Sequence, residues 1–283
     1  MDISFLYNEL DALKRVISVV DIGASNLGGY ETQYDKLLKL GRVSVTGFEP
    51  AQDAFEELCK NNQDPNKIFH QKFIGDGEQR TFFETNWSLT GSLYPPNTAL
   101  LEKFQNLAEL VTPIAEHSVQ THRLDDIPGL ERMDFLKMDV QGAELDVLRN
   151  CPNLLSTCLV AQLEVEFVEL YEGQPLFADV DAFMRSQGFQ FHKFDKSISG
   201  RVFKPLSISE SSYAKLNQCL WSDAWYVRDW MNLERVARDQ LLIASILSLV
   251  ICQSPDLALV YMTEYDSRYG CSLANDCRRE LGV

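Results

Sequence analysis

The feature that most constrains this chain is a repeated alternation of short β-branched apolar runs with segments of helical spacing. Residues 16–20 (VISVV) and 43–48 (VSVTGF) are such runs, and a helical pattern follows each of them. Strands that alternate with helices in this way form mostly parallel sheets with helices on both faces. The alternation therefore predicts an α/β fold built on a doubly wound, mostly parallel sheet.

The same pattern continues to about residue 230, after which it becomes helical, with Pro255 separating two helices. Residues 86–97 (NWSLTGSLYPPN) are rich in turn-forming residues and predict a loop over the sheet edge. Further strands are predicted at residues 67–74, 80–84, 118–124, 134–139, 158–167, 189–194 and 221–227. Further helices are predicted at residues 5–15, 30–40, 53–61, 98–107, 143–149 and 179–187.

The charge balance excludes two classes of partner. Of the 283 residues, 41 are Asp or Glu and 26 are Lys or Arg, which leaves a net charge of −15. Duplex nucleic acids and anionic membranes both require clustered basic residues, and this sequence contains no such cluster. Residues 101–200 carry −9 of the total. An acidic solvated surface and a set of ligand-facing acids both remain open as explanations.

Targeting and cysteine patterns predict a reduced, cytoplasmic protein. The first residues lack a basic stretch, and Glu9 and Asp11 interrupt any apolar segment of a signal peptide. The longest uncharged apolar stretch, residues 241–252, is too short for a spanning helix and predicts a buried helix. The seven cysteines contain no CxxC pair, so neither a zinc site nor a disulfide framework is expected.

Ligands of parallel α/β sheets bind beyond the carboxyl ends of the strands, so candidate site residues are sought there. The first predicted strand ends in DIGASNLGG, which lacks the GxGxxG spacing of dinucleotide sites and begins with an acid that would repel a pyrophosphate. This turn suits a ligand that carries an amino group, although a capped structural turn is the alternative. Its candidate cofactor-binding residues are Asp21, Gly23, Ala24, Ser25 and Gly28.

Acids also follow the second and third predicted strands. Glu49 is placed to accept both hydroxyl protons of a ribose, and Asp76 to accept a hydrogen from an adenine amino group. A charge at a helix N-terminus would equally explain Glu49, and a turn would equally explain Asp76. Together with Asp21, these acids suit S-adenosylmethionine better than a dinucleotide.

Several motifs together resemble the FkbM family of class I S-adenosylmethionine-dependent methyltransferases. The strongest is DFLKMDVQGAELDVL at residues 134–148, which is similar to that family's DFLKxDVQGAExxVL segment. The supporting motifs are GFEP at 47–50, GDG at 75–77, TGSLYPP at 90–96, THRLDDI at 121–127, EVEFVELYEGQPLF at 164–177, DVDAFMRSQGF at 179–189 and WSDAWYVRD at 221–229.

The resemblance implies a Rossmann-like sheet of seven strands with one antiparallel edge strand, which binds S-adenosylmethionine across the first three strands. It also implies methyl transfer to oxygen on polyketide macrolides or sugar-containing molecules. Residues 1–230 would then form the methyltransferase domain, and residues 231–283 a C-terminal helical extension packed on it. The extension lies outside the resemblance, and either capping the site or forming a homodimer remains open as its role.

Methyl transfer to a hydroxyl benefits from a general base beside the methyl donor. Asp139, at the end of the fourth predicted strand, is the first candidate and is also a candidate cofactor contact. Glu144 and Glu166 complete the predicted catalytic set, although Glu144 equally suits the terminus of the helix that it starts. Trp87, Tyr94, Tyr171, Gln174 and Phe177 are candidates for lining the acceptor pocket.

A divalent metal is an open alternative within this site. Glu164 and Glu166 share one face of a strand and, with Asp139, offer oxygen ligands for Mg²⁺ or Ca²⁺. The competing interpretation pairs one glutamate with a basic residue at the rim, and no metal ligand is assigned.

The leading hypothesis is therefore an O-methyltransferase that acts on a small hydroxylated metabolite. The alternative is a nucleoside-binding or interaction protein that keeps the fold without transfer activity. A nicotinamide-dependent oxidoreductase is disfavoured because the GxGxxG pattern is missing.

Overall fold

The computed structural model describes residues 2–25, 32–39, 41–195, 198–209 and 218–283. Short apolar runs form its strands, as the alternation predicts. The strands, in chain order, are β1 (Ile17–Ile22), β2 (Val43–Phe48), β3 (Lys67–His70), β4 (Phe73–Ile74), β5 (Gln79–Thr85), β6 (Pro113–His122), β7 (Phe135–Met138), β8 (Val160–Glu166), β9 (Phe189–Phe194) and β10 (Trp221–Arg228).

Seven of these strands form one sheet in the order β3-β2-β1-β7-β8-β10-β9. Strands β3, β2, β1, β7 and β8 pair in parallel, and β10 is antiparallel to both of its neighbours. The predicted seven-stranded, mostly parallel sheet is confirmed. The predicted position of the antiparallel strand is corrected, because β10 lies inside the sheet and β9 forms its edge.

The remaining three strands form a separate small sheet in the order β4-β6-β5. The single strand predicted at residues 67–74 is therefore wrong: it divides into β3 in the large sheet and β4 in the small one. Gln71 and Lys72 separate the two halves, and the Lys72 amide donates to the His70 carbonyl oxygen at 3.1 Å. Strands β5 and β6 pair antiparallel with each other. Among the described residues, neither strand forms backbone pairing with a strand of the large sheet.

Helices cover both faces of the large sheet, as predicted. Between β1 and β2 the described residues contain only the short α2, and residues 30, 31 and 40 of the helix predicted at 30–40 lie outside the described residues. The helices are α1 (Ser4–Ala12), α2 (Asp35–Leu38), α3 (Gln52–Asn61), α4 (Thr98–Leu101), α5 (Glu144–Arg149), α6 (Pro152–Thr157), α7 (Phe177–Ser186), α8 (Arg238–Val250), α9 (Pro255–Tyr269) and α10 (Leu273–Leu281).

Alternation along the strands gives each face its own apolar core. On one face, Ile17 and Val19 of β1 join a core with α1, α8, α9 and α10. On the other, Val20 and Ile22 join a core with α5, α6 and α7. The helices after residue 230 therefore bury one face of the sheet, because successive strand residues point to opposite sides.

Helix α8 is the central element of that C-terminal layer. Its residues from Leu241 to Leu249 are all buried, which confirms the buried helix predicted at residues 241–252. Pro255 starts α9, where the missing proline N–H costs no hydrogen bond. Helix α10 was not predicted. None of the helices in the described chain has both the length and the apolarity needed to cross a membrane.

The face covered by α8 becomes polar towards the carboxyl ends of the strands. Asp21 of β1 lies beside Lys137 of β7, and Lys137 beside Gln162 of β8. One step further along, Glu164 lies beside Asp223 of β10. The pairing register therefore assembles a row of polar side chains at the edge where parallel sheets bind ligands.

Candidate active site

A cleft of about 370 Å³ opens at this carboxyl edge of the sheet. One wall is apolar and comes from the small sheet and the segments around it. Seven polar residues of the cleft come from the turns after β1 and β2, from β7 and β8, and from the turn after β7. They are Ser25, Glu49, Lys137, Asp139, Gln141, Glu164 and Glu166. Other polar residues also line the cleft, among them Lys72, Thr90, Ser92 and Arg201.

Gly23 brings the turn after β1 against the end of β7. Its φ is +76°, and a Cβ at this position would lie 1.9 Å from the backbone oxygen of Asp139. Only glycine fits here, because both the left-handed backbone and the close approach exclude a side chain. Gly23 and Ser25 line the cleft, whereas Ala24 is buried beside them. Gly28 lies outside the described residues.

The structure does not give Asp21 the direct ligand contact predicted for it. This carboxylate is 1% exposed and does not line the cleft. Its oxygens accept hydrogen bonds from the Tyr34 hydroxyl at 2.7 Å and from Lys137 Nζ at 3.0 Å. An effect of Asp21 on a ligand would therefore act through Lys137, which does line the cleft.

Lys137 supplies the one ammonium group in the row of polar side chains on the described strands, and it forms an ion pair with Asp21. Burial lowers the pKa of Lys137, but the neighbouring carboxylates, Asp21 first, outweigh burial and raise the pKa overall. Its Nζ also lies 3.4 Å from the backbone oxygen of Gly23. Lys137 is therefore charged and holds the end of β1 and the following turn in place.

Glu49 follows β2 and lines the cleft, as its predicted role requires. It is 6% exposed, and one carboxylate oxygen accepts the backbone N–H of Ala51 at 2.9 Å. Burial is the main cause of a raised pKa for Glu49, and backbone hydrogen bonds partly offset it. Its assignment to a ribose stays a prediction.

Asp76 has partners within the small sheet instead of facing the cleft. Its carboxylate accepts hydrogen bonds from the Thr121 hydroxyl and the Glu78 amide, both at 3.0 Å, and from Arg80 at 2.7 Å. The residue follows β4, which does not belong to the large sheet, and it does not line the cleft. The structure thus supports the turn-forming alternative for Asp76 and gives no support to an adenine contact.

Four carboxyl groups gather at the ends of β7 and β8. Asp139, Glu164 and Glu166 line the cleft, and Glu144 lies beneath the turn between β7 and α5. Burial first, and the neighbouring carboxylates second, raise the pKa values of Glu164 and Glu166 well above the usual range. Burial raises the pKa of Glu144 to about 8. Glu144, Glu164 and Glu166 therefore retain a proton to higher pH than exposed glutamates do.

Glu144 has a structural partner at this position. Its Oε1 accepts the backbone N–H of Val140 at 2.9 Å, and the side chain is 2% exposed and does not line the cleft. This contact stabilises the turn that precedes α5. The structure therefore supports the helix-terminus alternative for Glu144 and gives its predicted catalytic role no support.

The same cluster is where a cation would bind if this site holds one. Carboxylate oxygens of Asp139, Glu144 and Glu164 lie within 4.8 Å of one another, so Glu144 replaces Glu166 in the predicted set. However, the Gln141 side-chain amide donates to Asp139 Oδ1 at 2.7 Å and to Glu164 Oε2 at 2.6 Å. The two amide hydrogens therefore occupy oxygens of Asp139 and Glu164 that a cation would otherwise bind.

Lys137 and Gln141 are the site residues that the sequence interpretation missed. Lys137 precedes Asp139 by two residues on a strand, so the period of two places both on one face and was a usable signal. Gln141 has a φ of +55° in a turn, and no pattern in the sequence indicates that conformation.

Two of the five predicted acceptor-pocket residues line the cleft, namely Trp87 and Tyr171. The Tyr94 hydroxyl donates to Asp146 at 2.8 Å, and Gln174 packs over Gly142. Phe177 belongs to an aromatic cluster with Phe167, Phe191 and Phe194. These three stabilise the surroundings of the cleft and do not line it.

Comparisons with known proteins find sequence similarity to methyltransferases. In the 2-O-methyltransferase NoeI of Sinorhizobium fredii, 111 aligned residues are 40% identical and cover 38% of this chain and 42% of that protein. The chain thus spans less than half the length of this relative. Methyltransferase 1 of Beauveria bassiana is 29% identical over 184 residues, which cover 60% of this chain and 71% of that protein.

A solved structure of a TehB-like SAM-dependent methyltransferase from Corynebacterium glutamicum is 13% identical and has a TM-score of 0.36. That comparison covers 81% of this chain and 89% of the other. The model of the methyltransferase FkbM domain matches residues 21–191, which include the end of β1, all of β2 to β8, and the polar cleft residues from Ser25 to Glu166. The chain belongs to the FkbM methyltransferase family.

Proposed function

We propose that this protein transfers a methyl group from S-adenosylmethionine to a hydroxyl oxygen of an uncharged small molecule. The observation that carries the proposal is a single cleft in which Ser25, Glu49 and Asp139 follow the ends of β1, β2 and β7. The name of the relative NoeI, a 2-O-methyltransferase, supports oxygen as the accepting atom.

The residues of the cleft fit an adenosyl ligand. Its volume of about 370 Å³ lies within the usual range for small-molecule sites. Glu49 would accept hydrogen bonds from ribose hydroxyls, and the turn at Gly23 and Ser25 would hold the amino-acid portion of the ligand. Acidic surroundings also favour its positive charge. When bound, S-adenosylmethionine supplies a methyl group already activated by its sulfonium.

Asp139 is the proposed general base. The acceptor's hydroxyl proton passes to the Asp139 carboxylate while the hydroxyl oxygen forms the new C–O bond. S-adenosylmethionine would supply the methyl group, and its sulfur would keep the electron pair of the S–CH₃ bond, so charge and atoms balance. Positioning of the two reactants contributes most of the rate, and the base adds about 10²–10⁴-fold.

The cleft also limits the acceptor. Its carboxylates disfavour an anionic group near the reacting hydroxyl. Apolar side chains, among them Leu107, Leu110 and Val111, form the opposite wall. A neutral acceptor with an apolar part, such as a sugar or polyketide derivative, fits both surfaces.

Calorimetry with S-adenosylmethionine, S-adenosylhomocysteine and NAD tests the cofactor. We expect heat of binding with both adenosyl ligands and none with NAD; absence of binding to both adenosyl ligands would overturn the proposal. A panel of hydroxylated sugars and macrolides then tests transfer. Binding without turnover across that panel would instead favour a binding protein that retains the fold.

Two further measurements separate the roles within the site. Asp139→Asn should lower turnover about 10²–10⁴-fold and weaken cofactor binding much less, since it removes the base but keeps the shape. Treatment with EDTA should leave activity unchanged if the Gln141 amide satisfies the carboxylates. Activity that is lost with EDTA and restored by Mg²⁺ or Ca²⁺ would show that a cation binds there instead.

A further inference from the structure

Gln141 has an unusual set of contacts for a residue in a turn. It lines the cleft, and all of its side-chain polar atoms face groups that the site uses. Its Nε2 donates to Asp139 Oδ1 at 2.7 Å and to Glu164 Oε2 at 2.6 Å. Its Oε1 accepts from the Tyr171 hydroxyl at 2.9 Å. A primary amide has two N–H hydrogens, so each carboxylate receives one of them.

The orientation of this amide is determined by its neighbours. Turning it over would replace the N–H that faces Asp139 Oδ1 by Oε1, which has no hydrogen to donate to that carboxylate. Burial and the surrounding carboxylates raise the pKa of Tyr171, so its hydroxyl keeps its proton and acts as a donor. Tyr171 is 2% exposed, and its single hydroxyl hydrogen is shared between Gln141 Oε1 and the Thr90 backbone oxygen, which also lies 2.9 Å away.

The backbone of Gln141 is held as firmly as its side chain. Its φ of +55° is in the left-handed region, which non-glycine residues adopt rarely. The Ser92 hydroxyl donates to its backbone oxygen at 2.6 Å. Residues 90–92, from the loop beside the small sheet, therefore anchor Gln141 both directly and through Tyr171. Strained backbone that is held by several contacts is typical of functional sites.

The charge around Asp139 explains why a neutral donor is useful at this point. Only one ammonium group interacts with Asp139 in the described site, and the other groups are carboxyls or a phenol. These neighbours are Lys137 on β7, Glu144 on α5, Glu164 and Glu166 on β8, Asp223 on β10, and Tyr171. A fixed amide stabilises a carboxylate among other acids without adding a charge that would repel a sulfonium.

We propose that Gln141 is a positioning residue that holds the Asp139 carboxylate in the orientation needed for proton transfer, with Tyr171 fixing its amide. This inference rests on the proposed role of Asp139 and adds the device that orients it. Misplacement of a reacting group by about 1 Å costs on the order of 10²-fold in rate, so such a device would be expected to affect turnover.

Infrared spectroscopy of protein with ¹³C-labelled aspartate tests the contact without an acceptor. The Asp139→Asn variant identifies the carboxylate band of Asp139 at neutral pH. Gln141→Gly keeps a backbone compatible with positive φ and removes the amide, and Gln141→Glu keeps the volume and removes both donors. We expect both variants to shift the Asp139 band, and Tyr171→Phe to shift it less. Gln79→Glu, an exposed change of the same kind, is the control.

An unchanged Asp139 band in both Gln141 variants would overturn the inference, whatever the proteins' stability. Calorimetry with S-adenosylhomocysteine separates this failure from failure of the proposed function. We expect Gln141→Gly to bind that ligand within about threefold of wild type, and kcat to fall roughly 10–100-fold with an accepted substrate. A wild-type protein that binds no adenosyl ligand would refute the proposed function but leave the infrared result valid.

Discussion

At the scale of single residues, the cleft combines several buried acids with a single paired ammonium. Lys137 neutralises Asp21, and the Gln141 amide satisfies Asp139 and Glu164 without charge. Glu49 lies apart from these contacts, at the end of β2. Asp21, Glu49 and the Asp139–Glu164 pair therefore have different local partners, and substitutions at these positions should affect different measurements.

Glu49→Ala should weaken binding of S-adenosylhomocysteine about 10–100-fold. The reason is that a hydrogen bond to a charged group contributes roughly 1.5–3 kcal/mol, and about 1.4 kcal/mol corresponds to a tenfold change in affinity. Calorimetry measures the change, with the exposed Glu102→Ala as the control. Equal affinity in the Glu49 variant and in wild type would remove Glu49 from the cofactor site.

Lys137→Met should reduce the free energy of unfolding by about 3 kcal/mol, because it leaves the buried Asp21 carboxylate without its cation. Urea denaturation measures this loss. Lys60→Met, on the exposed surface of α3, should change stability by less than about 0.5 kcal/mol. Adding Asp21→Asn to Lys137→Met should restore part of the loss. A Lys137 variant as stable as wild type would show that the pair does not stabilise the fold.

At the scale of elements, the C-terminal helices are part of the main core. Leu241, Ile246 and Leu247 of α8 are fully buried in the same core as Ile17 and Val19 of β1. The methyltransferase sheet therefore depends on residues beyond 230 for one of its two covers. The predicted boundary at residue 230 marks a change in the sequence pattern, but the apolar core continues across it.

Leu247→Ala should destabilise the whole protein by about 2–5 kcal/mol, since it leaves a cavity in the core shared by α8 and the sheet. A single shifted unfolding transition in calorimetry or urea is expected. Val260→Ala, on the exposed side of α9, serves as the control for shortening an aliphatic side chain. If the Leu247 variant instead showed a separate early transition with an unchanged main one, the extension would be an independent unit.

At the scale of the whole molecule, the net charge of −15 includes acids that the fold removes from water. Glu144, Glu164, Glu166 and Asp223 all have raised pKa values, chiefly because they are buried. Folding therefore takes up protons at neutral pH, and stability must depend on pH.

The free energy of unfolding should decrease as pH rises from 6.5 to 8. The pKa of Glu144 is about 8 in the folded protein and near 4.5 when unfolded, so only the folded state keeps the proton in this range. For each proton that the folded state holds and the unfolded state lacks, the free energy of unfolding falls by up to about 1.4 kcal/mol per unit increase in pH. Below 6.5, histidines with lowered pKa values act in the opposite direction.

Thermal unfolding across this range is the measurement, and Glu144→Gln should flatten the decline because glutamine still accepts the Val140 N–H but does not titrate. The exposed Glu102→Gln should leave the slope unchanged. Stability that increases between pH 6.5 and 8 would contradict the raised pKa values.

The sequence by itself determined the family and most elements of the large sheet, although it missed the division of residues 67–74 and helix α10. Alternation of apolar runs is a local property, so it predicted the sheet and placed Glu49 and Asp139 at strand ends. The DFLKMDVQGAELDVL motif is long enough to identify the FkbM family, which the match over residues 21–191 confirms.

Only the tertiary structure decided which acids face the cleft. Asp21, Asp76 and Glu144 also follow strands or begin helices, but Lys137, Arg80 and the Val140 amide occupy their carboxylates. The structure also placed β4 in a second sheet and brought Tyr171 and Ser92 to Gln141. Spacing along the chain predicts on which face, and at which end, of a helix or strand a side chain lies. Burial, charge pairing and amide orientation instead depend on neighbours that are distant in sequence.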